Sequence, residues 1–315
     1  MSTGDLPASQ TVIVTGADGF VGRHVCAIAR SRGHRVIGIT RAHVSDERFT
    51  PIVDSAISVD LTQRWPDVHG DCIIHLAGLA AVGPSFDHPQ RYIDVNSRMI
   101  TMMGEALLAS RRKPRIVGVS SGAVYDPSGS AGRPLDESTP TEPTSPYAVS
   151  KLLMEAQLAY YRARGLDVVI ARPFNHIGPG QARGFLLPDL VAGLRALAPG
   201  EPLAVGSLTT ARDYTDVRDV AMAYILLAEA RQLQSRVYNV ASGTAVTGMR
   251  MLELASTAIG RPVPHVEVDP GRVRSQDAPL IRGDASLLQH EVGWSARVPI
   301  VDSVQDYARA RHGDD

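Results

Sequence analysis

The sequence predicts an α/β protein built on a doubly wound parallel sheet, with a smaller C-terminal lobe. Through the first two-thirds of the chain, short β-branched runs alternate with longer helix-like segments, which is typical of parallel strands joined by helical crossovers. The runs at 12–14 and 72–74 are apolar throughout, as a sheet covered on both faces requires. Beyond about residue 173 the alternation is replaced by loops that contain Gly and Pro.

These patterns place each element and the boundary between the two parts. Strands are predicted at 11–15, 35–39, 56–59, 72–76, 115–120 and 168–172, and helices at 23–32, 187–197, 217–229, 248–259 and 284–291. We expect residues 237–240 to form a further strand that returns to the main sheet. The main domain therefore comprises residues 1–172 with this return strand, and residues 173–315 form mainly the lobe.

The composition excludes several classes of protein. Hydrophobic residues make up 44% of the chain and charged residues 21%, as in ordinary globular proteins. The formal net charge of -1 gives no basic field, so no nucleic-acid partner is expected. Cys26 and Cys72 lie among apolar residues, which predicts reduced, buried thiols and no cysteine zinc site, and no metal is expected. Because no apolar run of about 18 residues and no signal-peptide pattern occurs, we expect a cytoplasmic protein with no membrane partner.

A glycine-rich turn follows the first predicted strand. Gly16, Gly19 and Gly22 have the spacing G-x-x-G-x-x-G, with Phe20 and Val21 between the last two. Such glycines permit a tight turn and close approach of the backbone to a pyrophosphate, and the N-terminus of the following helix attracts the anion. Three glycines also occur in ordinary strand-to-helix turns, but the strand-helix-strand context favours dinucleotide binding on a Rossmann-type sheet. We predict that these five residues contact an NAD(P) cofactor.

The end of the second strand bears on the choice of cofactor. Thr40 and Arg41 stand where an acidic residue would bind the ribose hydroxyls of NAD. A guanidinium suits a 2'-phosphate and the short Thr leaves room for one, so we expect NADP(H) to be preferred over NAD(H). The alternative is that Arg41 is only a solvated loop residue.

Two further strand ends are assigned to the cofactor. Asp60 and Leu61 follow the third strand, where a carboxylate can accept a hydrogen bond from the adenine amino group; a role of Asp60 in a turn or helix cap fits the spacing equally well. Leu76, Ala77 and Gly78 end the fourth strand, where small residues let the chain pass close to the cofactor.

Residues suited to proton transfer follow the fifth strand and begin the next helix. Tyr147 and Lys151 are four residues apart, so they share a helix face and can point into one cleft. A neighbouring positive charge favours phenolate and lets a tyrosine exchange protons near neutral pH. Ser121 lies near the start of residues 120–125, here called the serine turn, and could hold a substrate oxygen beside Tyr147. A Tyr/Lys pair alone is common on helix surfaces, whereas the three groups together are much more specific.

The glycine turn, the serine turn and the Tyr147/Lys151 pair, in this order and spacing, resemble the extended short-chain dehydrogenase/reductase family over nearly the whole chain. The resemblance implies that hydride passes between a nicotinamide and a sugar carbon while Tyr147 moves the proton on the attached oxygen. It implies that Lys151 supports the tyrosine electrostatically and that Ser121 orients the substrate by hydrogen bonding. It also implies a homodimer formed through two helices of each subunit.

The serine turn argues against one reaction of this family. Members that carry out 4,6-dehydration have an acidic residue just before the Val-Tyr or Leu-Tyr of this turn. Gly122 and Ala123 occupy these positions here, and neither can remove or donate the protons that loss of water requires. A sugar 4,6-dehydratase is therefore not expected.

Three segments, 172–181, 212–220 and 269–279, resemble reductases that convert GDP-4-keto-6-deoxy-D-mannose to GDP-D-rhamnose. The resemblance implies that Asn175 meets the diphosphate of the substrate, although an Asn at a strand end also caps turns. Arg212 and Arg274 are further candidates for substrate binding, because Arg can bind phosphate oxygens through two parallel hydrogen bonds. A surface ion pair is the alternative for each arginine.

We therefore expect an NAD(P)H-dependent enzyme that reduces the C4 keto group of a GDP-linked 4-keto-6-deoxy sugar. Residues 1–172 would bind the cofactor, and residues 173–315 mainly the nucleotide sugar. A nucleotide-sugar 4-epimerase with tightly bound NAD uses the same centre and is the first alternative. A non-catalytic nucleotide-binding regulatory protein is the second, because a fold does not establish activity.

Overall fold

The computed structural model describes residues 9–43, 46–126, 132–272 and 278–310. Within these residues the chain forms thirteen strands and nine helices. The strands are β1 (Thr11–Thr15), β2 (Arg35–Thr40), β3 (Ser55–Ser58), β4 (Cys72–His75), β5 (Arg115–Val119), β6 (Val168–Pro173), β7 (Asn175–Ile177), β8 (Leu203–Val205), β9 (Ala211–Asp216), β10 (Val237–Val240), β11 (Ala245–Thr247), β12 (Val266–Val268) and β13 (Leu280–Ile281). The helices are α1 (Phe20–Ser31), α2 (Val82–Asp87), α3 (Pro89–Ala109), α4 (Pro146–Ala163), α5 (Leu186–Ala196), α6 (Val217–Glu229), α7 (Gly248–Ala258), α8 (Ser286–Val292) and α9 (Ile300–Arg309).

Seven strands form one sheet in the order β10-β6-β5-β4-β1-β2-β3, and every neighbouring pair is parallel. From β1 the chain proceeds to β2 and β3 on one side, then crosses over to β4, β5 and β6 on the other. This is the doubly wound arrangement, so the predicted fold class is confirmed. At the far edge β10 pairs with β6, with Val237 opposite Ile170, so a strand from late in the chain completes the sheet.

Helices cover both faces of this sheet. In β1, Val12 and Val14 belong to one apolar core together with residues of α1 and α6, whereas Ile13 belongs to a second core with residues of α3 and α4. The alternation follows from the two-residue period of a strand. Because each face has its own core, the strands are apolar almost throughout, and each buried Val or Ile contributes roughly 1.5–3 kcal/mol by leaving water. Cys26 and Cys72 are free and buried, as predicted.

The lobe has a separate apolar core that includes residues of α5, α7 and α9. Two small sheets accompany it, one with β11, β9, β13 and β7 and the other with β12 and β8. In the first, β7 runs parallel to β9 with Asn175 opposite Tyr214. The sequence did not predict these sheets, because their strands are as short as two residues and show no clear alternation.

The helix boundaries differ from the predictions by a few residues. Helix α1 begins at Phe20 rather than at residue 23, because Gly19 adopts the extended N-cap conformation. Helix α8 ends at Val292, where Gly293 has a φ of 69° and stops the helix in the left-handed conformation that favours glycine. Among the described residues, no helix is both long enough and apolar enough to cross a membrane.

Candidate active site

The candidate residues gather at the carboxyl edge of the main sheet. Strands β1, β4 and β5 are parallel neighbours, so the segments that leave them emerge at the same edge. In open α/β sheets this edge forms the crevice in which ligands bind, next to the point where the strand order reverses. The glycine turn follows β1, residues 76–78 follow β4 and the serine turn follows β5.

The glycine turn has the geometry that a dinucleotide requires. Gly16 has a φ of 64°, and a Cβ added there would lie 3.0 Å from the backbone N of Ala77. A Cβ added at Gly22 would lie 2.1 Å from the carbonyl oxygen of Gly16. No side chain caps the first turn of α1, so its backbone N–H groups, including those of Phe20 and Val21, can meet an anion. These residues therefore fit a pyrophosphate.

The residues predicted to contact the ribose (Thr40, Arg41) and the adenine (Asp60, Leu61) differ in exposure. Thr40 is 3% exposed, and its hydroxyl donates a 2.7 Å hydrogen bond to the carbonyl of Ala42, so it acts within its own turn. Arg41 and Asp60 are exposed. Asp60 accepts hydrogen bonds from the backbone N and the hydroxyl of Thr62, at 2.9 and 2.7 Å, and these bonds lower its pKa. The turn role that the spacing allowed for Asp60 is thus present, while neighbouring Leu61 is buried.

Hydrogen bonds of the buried side chains of Thr15 and His75 fix the end of β4 and the segment that follows it. The hydroxyl of Thr15 accepts hydrogen bonds from the backbone N of Leu76 and of Ala77, both at 3.1 Å. Its own proton therefore goes to Nδ1 of His75, 2.9 Å away, which leaves the imidazole proton on Nε2. Burial, and to a lesser extent the charge of Lys151, lowers the pKa of His75 to about 3. His75 is therefore a neutral side chain whose hydrogen bond to Thr15 stabilises the end of β4.

The structure brings Ser121, Tyr147 and Lys151 together. Tyr147 and Lys151 lie in the first turns of α4 and are each 7% exposed. The ammonium of Lys151 lies 5.8 Å from the centre of the Tyr147 ring and donates a 2.7 Å hydrogen bond to the carbonyl of Val119, at the end of β5. Ser121 accepts a 3.1 Å hydrogen bond from the backbone N of Ala123, which fixes the serine turn.

Burial is the main influence on the protonation of this centre. It raises the pKa of Tyr147, and hydrogen bonding from the Ser121 hydroxyl partly offsets the rise. It lowers the pKa of Lys151 to about 8, against the opposing effect of Glu155. A nearby positive charge was expected to lower the pKa of Tyr147 towards phenolate, but in this structure the pKa is raised, and desolvation is the largest cause. At neutral pH the centre presents a protonated phenol beside an ammonium group.

A sequence profile of the NAD dependent epimerase/dehydratase family matches residues 12–241. The chain belongs to this family. The matched range includes the glycine turn and all three groups of the centre, and the predictions of an extended short-chain dehydrogenase/reductase and of an NAD(P)-dependent enzyme are confirmed.

Individual relatives cover almost the whole chain. A GDP-6-deoxy-D-mannose reductase of Pseudomonas aeruginosa is 32% identical over 301 residues, which span 94% of this chain and 95% of the relative. A UDP-glucose 4-epimerase of Neisseria meningitidis serogroup C is 25% identical, with 94% and 95% covered. The solved structure of RMD from Pseudomonas aeruginosa complexed with NADPH superposes with a TM-score of 0.79 at 30% identity, and covers 95% of this chain and 98% of that chain.

The sequence did not predict the buried polar groups that support the centre of this epimerase/dehydratase-family chain. Glu155 lies one turn after Lys151, and both its oxygens accept hydrogen bonds from Arg172, at 2.9 and 2.7 Å. The Arg172 guanidinium lies 4.8 Å from the centre of the Tyr125 ring, whose hydroxyl donates a 2.6 Å hydrogen bond to Asn239. The four-residue spacing of Lys151 and Glu155 was the available signal, because it places both on one face of α4.

Asn96 is a second supporting residue that the sequence did not indicate. Its side chain accepts a hydrogen bond from the backbone N of Leu79 at 2.8 Å and donates one to the hydroxyl of Ser150 at 2.9 Å. It thereby ties the segment after β4 to α4. A Cβ added at Gly78 would lie 3.0 Å from the side-chain oxygen Oδ1 of Asn96, so this segment passes close to Asn96.

The predicted substrate residues lie on the small sheet of the lobe. Asn175 is exposed in β7 and stands opposite Tyr214 of β9. Arg212 lies two residues before Tyr214, so Asn175 and Arg212 are on the same face of this sheet. Arg212 is half-buried and donates a 2.8 Å hydrogen bond to the carbonyl of Ala211. Arg274 lies outside the described residues.

Proposed function

We propose that this protein reduces the C4 keto group of a nucleotide-linked 4-keto-6-deoxy sugar, and that the reaction is the conversion of GDP-4-keto-6-deoxy-D-mannose to GDP-D-rhamnose. The observation that carries the proposal is the buried Tyr147, whose phenol is protonated at neutral pH and lies beside Lys151 and Ser121. A reductase needs a proton donor at the new alkoxide, and a neutral phenol is such a donor. The GDP-6-deoxy-D-mannose reductase relative supports the choice of sugar and base.

The roles of the three groups follow from their positions. Ser121 orients the substrate carbonyl by hydrogen bonding, and Tyr147 donates its proton to the oxygen as the carbonyl becomes an alcohol. Lys151 stabilises the phenolate left behind, because its ammonium lies beside the ring in a poorly solvated site. When bound, the nicotinamide supplies the hydride that C4 receives. Solvent then returns a proton to Tyr147.

We propose NADP(H) as the preferred cofactor, with Arg41 as the residue that binds its 2'-phosphate. Arg41 is exposed at the end of β2, and Thr40 beside it turns its hydroxyl inward and adds no acidic group. The NADPH complex of the RMD structure supports this preference. Residues 1–172, with β10, form the cofactor-binding part in this proposal, and residues 173–315, which carry Asn175 and Arg212, mainly bind the nucleotide sugar.

The direct test supplies the keto sugar to the purified protein. GDP-4-keto-6-deoxy-D-mannose is made in place from GDP-mannose by a dehydratase, and oxidation of NADPH or NADH is followed by absorbance. We expect faster oxidation of NADPH and a GDP-deoxyhexose product whose C4 configuration, read by NMR, is that of rhamnose. The Tyr147→Phe protein is the control for oxidation by the dehydratase preparation alone. If neither cofactor is oxidised, the reductase assignment is wrong.

A nucleotide-sugar 4-epimerase is the second candidate, because a UDP-glucose 4-epimerase is among the relatives. An epimerase returns its hydride to the same sugar and keeps the nicotinamide bound, so the purified protein would contain stoichiometric NAD. Interconversion of UDP-glucose and UDP-galactose without added cofactor would favour this candidate over the reductase.

We also propose a homodimer formed through α3 and α4. Val149, Leu153 and Tyr160 are spaced by four and seven residues on α4 and are 38%, 37% and 55% exposed, so they form an apolar stripe on the outer side of this helix. Light scattering is expected to give twice the chain mass of 33.7 kDa. Leu153→Lys should give monomers, whereas Val301→Lys, at an equally exposed apolar position on α9, should not.

A further inference from the structure

A cluster of three aromatic rings joins the glycine turn to the lobe. The ring of Phe20 stacks on the imidazole of His176, with centroids 6.0 Å apart and planes 14° from parallel. The same ring meets the imidazole of His24 edge-on, with centroids 5.9 Å apart and planes at 89°. Phe20 and His24 lie one turn apart on α1, and His176 lies in β7. We call these three side chains the ring cluster.

Hydrogen bonds fix the two imidazoles of the ring cluster. Nε2 of His24 lies 2.9 Å from the carbonyl oxygen of Pro179, and Nδ1 of His176 lies 3.0 Å from that of Phe174. Because a carbonyl oxygen only accepts, both of these nitrogens carry protons. Burial lowers the pKa of each imidazole, so both rings are neutral at neutral pH and pack as aromatic groups.

The segment 174–181 is braced by a hydrogen bond within itself and lies close to α1 at Gly180. Gln181 is 6% exposed and donates a 3.1 Å hydrogen bond to the carbonyl of His176. Gly180 has a φ of 90°, and a Cβ placed there would lie 4.0 Å from the Phe20 ring. The segment therefore wraps over the first turn of α1.

The ring cluster stands between the two ligand sites of the proposed function. Phe20 directly follows Gly19, and its own N–H belongs to the first turn of α1 that faces the cofactor pyrophosphate. His176 directly follows Asn175, which is assigned to the diphosphate of the substrate. We propose that Phe20, His24 and His176 are positioning residues that couple binding of the dinucleotide to binding of the nucleoside diphosphate. The inference rests on the proposed function, because it needs both ligands at these loops.

The physical basis of the coupling is that the two loops lose conformational entropy together when either ligand binds. A ligand that fixes either loop also fixes the stacked ring of the other loop, so the second ligand loses less conformational entropy when it binds. Linkage requires the effect to be reciprocal: NADP+ must tighten GDP binding by the same factor by which GDP tightens NADP+ binding. We expect a factor of about 5 to 20, within the usual range of coupling between sites.

Calorimetric titration of the intact protein measures this factor. GDP and UDP are titrated into free protein and into protein saturated with NADP+, and NADP+ is titrated with and without the nucleotide that binds. In Phe20→Leu, which keeps the backbone N–H and removes the ring, the factor should fall close to one. His176→Leu removes the other half of the stack, so the factor should fall equally. In both single variants the affinity for each ligand alone should change less than about threefold, and the double variant Phe20→Leu/His176→Leu should show no further fall in the factor. Phe86→Leu, an exposed position on α2, should keep the wild-type factor.

The outcomes separate this inference from the proposed function. If neither nucleotide binds in the presence of NADP+, the proposed function fails. If both ligands bind the wild type independently, or if Phe20→Leu keeps the full factor, the coupling role is wrong. Hydrogen exchange on the wild type gives a test that needs neither a variant nor GDP or UDP. NADP+ alone should slow exchange of the backbone amides of 174–181, and unchanged exchange there would overturn the inference.

Discussion

The two ends of the candidate cofactor site differ in how their polar side chains are surrounded. At the end beside β5 and α4, Tyr147 and Lys151 are each 7% exposed, and the groups around them are hydrogen-bonded within the core. At the end beside β2 and β3, Arg41 and Asp60 are exposed to solvent. In the proposed function, the chemistry is therefore assigned to residues that the core fixes before any ligand arrives, whereas the preference for NADP(H) is assigned to the solvated Arg41. Substitutions at the two ends should therefore differ in size and in kind.

The largest expected effect is on turnover at the buried end. Tyr147→Phe removes the proton donor and keeps the ring, so the rate of NADPH oxidation should fall at least about a thousandfold, towards the upper range for general acid catalysis. Fluorescence titration should show NADPH affinity within about threefold of wild type. If the variant is unfolded by circular dichroism, Tyr147 is a core residue and its catalytic role is not supported.

A large effect on stability is expected one turn further along α4. The side chains of Glu155 and Arg172 are only 10% and 9% exposed, so Glu155→Gln leaves a buried guanidinium without its counter-charge. Urea unfolding should show a loss of about 3–5 kcal/mol, and Glu155→Gln/Arg172→Met should recover most of it. In the exposed pair Arg250–Glu253, Glu253→Gln should change the free energy of unfolding by less than about 0.5 kcal/mol. Equal losses for the two pairs would remove the distinction between buried and solvated charges.

Acid should weaken the buried end through His75. Burial lowers its pKa to about 3 in the folded chain, below the ordinary histidine value of 6.5, so below pH 6.5 the unfolded chain binds a proton that the folded chain does not. The contribution of His75 to the free energy of unfolding is therefore lost as pH falls, by about 1.4 kcal/mol per pH unit. The variant His75→Asn keeps an acceptor for Thr15 and does not titrate. Between pH 6.5 and pH 4.5 its stability should fall about 2–3 kcal/mol less than that of the wild type, measured by urea unfolding. If the free energies of unfolding of the two proteins fall equally over this pH range, His75 is protonated in the folded chain.

The smallest effect is expected at the solvated end. Arg41→Ala should raise the Kd of NADPH about tenfold, which corresponds to about 1.4 kcal/mol, and leave the Kd of NADH and the melting temperature nearly unchanged. Arg112→Ala, also exposed but near the opposite edge of the sheet, is the matched control. An equal rise of the Kd for NADPH and NADH would mean that Arg41 contacts a part of the dinucleotide other than the 2'-phosphate.

The sequence predicted the main sheet well because each buried strand carries a local signal. All six early strands and the return strand appear within about two residues of the predicted positions, and the glycine turn, Ser121, Tyr147 and Lys151 lie at one edge of the sheet. Helix boundaries were less accurate, since a cap such as Gly19 depends on one backbone angle.

Contacts between distant parts of the chain could not be predicted. Phe20 meets His176 across 156 positions, and Tyr125 meets Asn239 across 114, and no periodicity connects such residues. The burial that raises the pKa of Tyr147 is also a product of the whole fold, so reasoning from the neighbouring Lys151 alone gave the wrong direction.

The place of β10 at the edge of the main sheet has a consequence for how the chain is made. Strand β6 ends at Pro173 and pairs with β5 on one side, but its partner on the other side begins only at Val237. During synthesis from the N-terminus, the edge of β6 that faces β10 therefore remains unpaired for several seconds while the intervening chain is added. An unpaired strand edge that is apolar from Val168 to Ala171 is a template for association with other chains. Nascent chains stalled between these two strands should depend most strongly on chaperones, and a gene truncated after residue 172 should yield aggregates rather than an isolated domain.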